Sequence, residues 1–168
     1  MLNDKEIKRL IKEQNLIENC DDIDEHITPN GFDLSIESIE CFAGAGKLLH
    51  RDKSLPQSFE HECNDGVYLL QPGIYLVNTI EKINMPNNLV GFAFPRSSLL
   101  RMGCLTQTGV WDAGFSGTSQ FIVNVVNPFG VYIEKGARIT QLCFEWINTV
   151  EKSYNGAYQN FDLKKEVK

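Results

Sequence analysis

Arg96-Ser97-Ser98 directly follows a strand-like run that ends in Phe94-Pro95, and it opens a short helix-compatible stretch, SSLLRM. A helix start presents free backbone N–H groups and the positive end of a dipole, which together hold anions. The Arg96 guanidinium can add a bidentate, charge-assisted contact to phosphate oxygens. Arg101 lies within reach of the same ligand or of a neighbouring subunit. The plain alternative is a surface helix capped by Ser97 or Ser98, with its arginine in a salt bridge. Further on, Asp112 stands between Trp111 and Ala113-Gly114. A carboxylate there can take a proton from water as a general base, or it can simply form the turn. Phe115 can offer an aromatic face to a base or sugar, or pack into the core. Asp33, in NGFDL, can hold a hydrated Mg²⁺, a hard cation that takes oxygen ligands, or sit on a solvated strand face. Gln141, an amide in an otherwise apolar strand, can bond a ligand or a neighbouring strand.

The elements that must position these groups are legible in outline. Asn3 and Glu6 have the spacing of a capping box, and Leu2, Ile7, Leu10 and Ile11 fall on one stripe, so the chain opens with a helix. The acidic DDIDEHITPNG that follows Cys20 reads as a loop. From Phe32 the alternation of Phe32, Leu34 and Ile36 with Asp33, Ser35 and Glu37 predicts a half-buried strand. Residues 43–66 read as a long excursion or an irregular pair of short strands. Strand-like runs then recur at 67–71, 74–80, 89–94, 104–111, 118–126, 131–134 and 137–147, separated by turns such as Pro72-Gly73 and Lys135-Gly136. That rhythm indicates an all-β sandwich, jelly roll or distorted barrel, with SSLLRM as its one internal helix. The polar tail from Glu151 reads as a flexible arm.

Composition narrows the function classes. At 168 residues, with 42% apolar and 23% charged residues, the chain fits one globular domain. Five scattered cysteines without a C-x-x-C pair predict reduced thiols, with neither a disulfide framework nor a structural zinc. A net charge of −6 gives no footprint for nucleic acid, although local arginines and amides can still hold a small anion. The charged N-terminus lacks the apolar core of a secretory signal, and no run is long enough for a membrane span, so a cytoplasmic location is expected.

Taken in order, GFDL, PRSSLLR, GVWDAGFSG, ARITQL and YNGAYQ resemble the dUTPase and dCTP deaminase superfamily, across about residues 31–159. The N-terminal helix and the PRSSLLR variant are similar to the dCTP deaminase branch and its archaeal-type dUTPase relatives. The resemblance implies a mainly β, distorted jelly-roll or barrel domain over residues 1–150, with an N-terminal helix and one short internal helix. It also implies an arm over residues 151–168 that closes over the site, a homotrimer with sites between subunits, and Mg²⁺ bound to a deoxynucleoside triphosphate. By the same resemblance Arg96, Ser97, Ser98 and Gln141 contact phosphates, and Asp112 activates the attacking water. Phe115 lies under the deoxyribose, and main-chain groups from Gly109 through Trp111 to Gly117 read the base. Tyr154, Tyr158 and Gln159 fold over the nucleotide.

Two departures sharpen this reading. Deaminases of the superfamily carry a proton-shuttling glutamate on the strand after this turn; here Ile122 takes that place, and TSQFIVNVVN holds no acidic residue. Gln120, two residues earlier on the same strand face, can hydrogen-bond but cannot exchange that proton. The tail has Ala157 where a lysine is common before the Tyr-Gln pair. The expected activity is hydrolysis of dUTP to dUMP and pyrophosphate. The alternatives are a dCTP deaminase, alone or bifunctional, and a non-catalytic nucleotide-binding trimer.

Overall fold

A computed structural model describes residues 1–162; residues 163–168, the end of the expected arm, lie outside the described residues. Helix α1 (Asp4–Gln14) begins with the capping box: Glu6 N–H donates to Asn3 Oδ1 at 3.0 Å, and Asn3 N–H to Glu6 Oε2 at 3.2 Å. Asn15 ends it in the left-handed region, φ 51°. Its stripe of Leu2, Ile7, Leu10 and Ile11 is buried against Phe32, Leu34, Ile83, Leu142 and Phe144, so burial rather than propensity fixes the helix.

The remaining elements are β1 (Ile17–Glu18), α2 (Ile23–His26), β2 (Ile27–Thr28), β3 (Gly31–Phe42), β4 (Lys47–Leu49), β5 (Asp52–Ser54), β6 (Ser58–Glu60), β7 (Val67–Leu70), β8 (Gly73–Asn84), β9 (Leu89–Pro95), α3 (Ser97–Arg101), β10 (Cys104–Gln107), β11 (Ser116–Val125), β12 (Val131–Glu134) and β13 (Arg138–Trp146). The main sheet runs β10-β11-β8-β3-β13-β9, with every neighbouring pair antiparallel. Strand β3 is its pivot. Its first half pairs with β13 (Asp33 opposite Gln141), and its second half pairs with β8 (Ser38 opposite Asn78). Register shifts at Ile36/Ser38, Arg138/Thr140 and Thr118/Gln120 mark the bends where the sheet curls. A second core, built on Ile39, Val77, Phe121, Val123 and Ile139, lies under β7 and β12. The result is a mainly β domain built on one curled antiparallel sheet, as the strand rhythm predicts.

Four local expectations change. The supposed loop after Cys20 contains α2 and β2, because Asp22 caps α2 through the N–H groups of Asp24 and Glu25. The strand expected over 104–111 stops at Gln107, and the Trp111 backbone joins the sheet through an isolated bridge to Gly91. Neither serine caps α3: Arg96 is its N-cap and makes no side-chain capping bond. The polar side of β3 is buried too, with Asp33 and Ser35 only 3% and 2% exposed. The cysteines are all free. Among the described residues no helix is long and apolar enough to cross a membrane.

Candidate active site

The turn that carries Asp112 is held from both sides by backbone bonds. Trp111 and Gly91 exchange N–H···O bonds of 3.0 Å, while Gly114 N–H donates to Met85 at 3.0 Å and Met85 N–H to Phe115 at 2.7 Å. The buried Trp111 indole donates to Ser119 Oγ at 2.8 Å, which ties the turn to β11. Gly114 is required here: its φ is +86°, and a Cβ on it would come within 2.6 Å of Ser153 Cβ. Asp112 itself is exposed on this fixed support.

The tail docks on the same turn. Tyr154 N–H donates to Ala113 at 2.9 Å, and the Tyr154 ring meets Phe115 edge-on with centroids 5.6 Å apart. Gln159 grips the backbone with both ends of its amide: Oε1 accepts from Ser116 N–H and Nε2 donates to Gly114 O, each at 3.0 Å. Asn160 and Phe161 extend the docking through Ser116 and Thr118. Gln159, read from the sequence as a nucleotide contact, is engaged with the turn and positions the arm.

Turn, tail and sheet enclose a cleft of 1110 Å³. Asp112, Phe115, Gln120, Tyr154 and Tyr158 line it, as do Gly109, Trp111 and Ile122. Ile122 supplies an apolar wall where the deaminase carboxylate is expected by resemblance. The cleft does contain a second carboxylate, Glu40 of β3, which the sequence reading missed. Both of its oxygens are engaged, one by Asn78 Nδ2 at 2.6 Å and the other by the Ser58 hydroxyl. Lys53 of β5 is the cation on the lining. No local pattern could reveal these residues, because they meet only when β3 pairs with β8 and the 47–60 excursion folds back on it.

The second group of expected phosphate contacts lies elsewhere in the chain. Arg96 Nε donates to Asp33 Oδ2 at 2.8 Å, and Nη1 donates to Arg138 O at 3.2 Å. Burial pushes the Asp33 carboxyl up from its ordinary range, against the pull of Arg96, Arg138 and His26. The hydrated strand face expected for Asp33 is thus replaced by a buried ion pair. No group of three or more His, Cys, Asp or Glu among the described residues is arranged to hold a metal ion. Gln141 of β13 donates its Nε2 to Thr28 Oγ1 of β2, beyond the intervening β3. Ser97 and Arg101 are exposed on α3, and Ser98 borders a separate cleft of 150 Å³. Arg96, Ser97, Ser98, Arg101 and Gln141 are all absent from the lining of the Asp112 cleft. Within one chain, Asp112 and the Arg96 group do not meet.

Residues 1–147 match the dCTP deaminase-like family. A probable deoxyuridine 5′-triphosphate nucleotidohydrolase of Methanosarcina mazei is 41% identical over 165 residues, spanning 95% of this chain and 96% of that protein. Another, from Aeropyrum pernix, is 43% identical over 138 residues, spanning 82% of this chain and 87% of that protein. The fold is similar to the crystal structure of a 2′-deoxycytidine 5′-triphosphate deaminase from Agrobacterium tumefaciens, with a TM-score of 0.69 at 20% identity. That likeness covers 88% of this chain but 47% of the deaminase, so the chain spans about half the deaminase's length.

Proposed function

Because the chain belongs to the dCTP deaminase-like family, we propose, from what its site can do, that it is a dUTP diphosphatase, hydrolysing dUTP to dUMP and pyrophosphate. The observation that carries this reading is the exposed Asp112 on a turn fixed from both sides, beside Phe115 and facing a strand whose next cleft residues are Gln120 and Ile122. A site of that composition can activate water through Asp112, while its other carboxylate, Glu40, is engaged on both oxygens and is not free for proton exchange with a base. Relatives named as probable deoxyuridine triphosphate nucleotidohydrolases support the same substrate.

The reaction asks little covalent chemistry of the protein. A water attacks the α-phosphorus in line, the bond to the bridging oxygen breaks, and pyrophosphate leaves. Asp112 orients that water and takes its proton. Phe115 packs on the deoxyribose, and the main chain of 109–117 reads the uracil. Tyr154 and Tyr158, on the arm formed by residues 151–168, cover the nucleotide and exclude bulk water. Among the described residues no carboxylates cluster to hold a resident ion, and in this reading Mg²⁺ belongs to the substrate, which enters as the Mg²⁺ complex of the triphosphate. Arg96, Ser97, Ser98, Arg101 and Gln141 neutralise phosphate charge. They do so from a neighbouring copy, because in one chain they stand away from the Asp112 cleft. In this reading the active form has its sites between subunits, and the superfamily resemblance makes it a homotrimer that works in the cytoplasm.

The test is to incubate the protein and Mg²⁺ with dUTP and dCTP separately, measuring pyrophosphate and ammonia. Pyrophosphate from dUTP without ammonia from dCTP is the expected result. Ammonia from dCTP would overturn the reading of Ile122, and silence with both nucleotides would leave a binding protein.

A further inference from the structure

The floor of the cleft carries a hydrogen-bond relay with a fixed direction. Ser38 of β3, Asn78 of β8 and Gln120 of β11 stand directly opposite one another in register, so their side chains form one row across three strands. Asn78, 1% exposed, donates its Nδ2 to Glu40 Oε1 at 2.6 Å and to Ser38 Oγ at 2.9 Å. Gln120 donates its Nε2 to Asn78 Oδ1 at 2.7 Å. An ionised carboxylate only accepts hydrogen bonds. Glu40 therefore requires the NH₂ end of Asn78, which turns the Asn78 carbonyl toward Gln120. Gln120 must then give up its own NH₂ end, and its carbonyl Oε1 is left for the cleft that Gln120 lines.

We propose that this relay makes Gln120 a fixed acceptor that selects the base: its Oε1 takes the N3–H of uracil and repels the unprotonated N3 of cytosine. An unanchored glutamine could rotate its amide and present a donor to cytosine, which would erase the choice. With Glu40 and Asn78 in place that rotation breaks a part-buried chain of bonds centred on the buried Asn78, so the acceptor stays an acceptor. Gln120 touches the base in this scheme, whereas Glu40 and Asn78 are positioning residues that act through it. The inference rests on the dUTP reading above and adds to it the side chain that tells the two pyrimidines apart.

Calorimetric titration with non-hydrolysable α,β-imido analogues of dUTP, dCTP and N3-methylated dUTP tests the relay in wild-type protein, Gln120→Leu and Glu40→Gln. The wild type is expected to prefer the uracil analogue and to lose affinity on N3 methylation. Gln120→Leu should lower the uracil-over-cytosine ratio about tenfold, the size of one hydrogen bond gained against one clash, and should remove much of the methylation penalty. Glu40→Gln, whose amide can offer either end to Asn78, should lower the same ratio roughly threefold to fivefold. Damage to the fold would weaken all three analogues together and leave the ratio alone. An unchanged ratio in both variants overturns the proposal, as does a cytosine preference that depends on Gln120. Wild-type release of pyrophosphate from dUTP is measured alongside: if it is present and the ratios do not move, only the relay falls; if it is absent, the functional reading falls.

Discussion

Arg96 Nε donates to Asp33 Oδ2 at 2.8 Å across the width of β13, which separates their strands in the sheet. Gln141 of β13 is in register with Asp33 on one side and Phe94 on the other, so the arginine just past the end of β9 reaches over the strand between. Its second bond, to the Arg138 carbonyl at 3.2 Å, fixes the plane of the guanidinium. Of the five N–H donors these bonds use two, which leaves others for the phosphate oxygens of the proposed substrate.

Arg96→Lys keeps the charge but not the fork, since one ammonium cannot span Asp33 and the Arg138 carbonyl while holding a phosphate. The expected result is a KM for dUTP raised about tenfold, the weight of one or two charge-assisted hydrogen bonds, with a smaller change in kcat. Steady-state kinetics at saturating Mg²⁺ decides it; an unaltered KM would remove Arg96 from the phosphate site.

Asp112→Asn keeps the shape of the turn and removes only the proton acceptor. Turnover is expected to fall roughly 10²-fold or more, while calorimetry with a non-hydrolysable analogue shows nearly unchanged binding. Full turnover in this variant would mean that another group takes the proton.

Much of this site is visible along the chain, and the rest depends on strand pairing. Asn3 and Glu6 announce α1 because a capping box is a local device, and Gly114 beside Asp112 announces a turn because its backbone conformation is local too. The Arg96–Asp33 pair is not local: it exists only because β13 inserts between β3 and β9. The alternation in β3 suggested one wet face, yet Asp33 and Ser35 are enclosed, by an arginine in one case and by Glu81 on the backbone N–H in the other. The row of Ser38, Asn78 and Gln120 is likewise a product of register. Residue types were readable, but partners were not.

Glu81 gives a pH prediction whose sign is set by its burial. Its side chain accepts the Ser35 N–H at 2.9 and 3.1 Å and lies 3.4 Å from His26 Nδ1. Burial nevertheless raises its pKa above the ordinary 4.5, as it raises that of Asp33 above 3.8. A carboxyl with a raised folded-state pKa adds stability below its unfolded pKa, and that increment is lost as the pH rises through the folded value. Glu81→Gln imitates the protonated form. The difference in Tm between this variant and wild type should therefore be more favourable to the variant at pH 7 than at pH 4. A pH-independent difference would contradict the burial argument.

Gly114→Ala tests the dock between turn and arm. The added methyl would fall 2.6 Å from Ser153 Cβ and 3.0 Å from Asn87 Oδ1, on a backbone with φ +86°. The turn and residues 153–161 must separate, so the KM for dUTP should rise and limited proteolysis should cut the arm faster, with the sheet intact by circular dichroism. An arm as resistant as in wild type would show that Gly114 is not what seats it.

The separation of Arg96 from the Asp112 cleft predicts complementation between two inactive proteins. If the anion cradle of one copy completes the water-activating cleft of another, Arg96→Ala and Asp112→Ala each abolish turnover alone. Reassorted at equal amounts, some sites then combine an intact Asp112 from one chain with an intact Arg96 from the next. For random exchange in a closed ring that fraction is about one quarter of sites, so activity should return to roughly that share of wild type. Light scattering on the same samples should report a trimer before and after exchange. A mixture that stays inactive although its subunits have exchanged would place both halves of the site in one chain, and would require a rearrangement bringing α3 to the cleft that Asp112 lines.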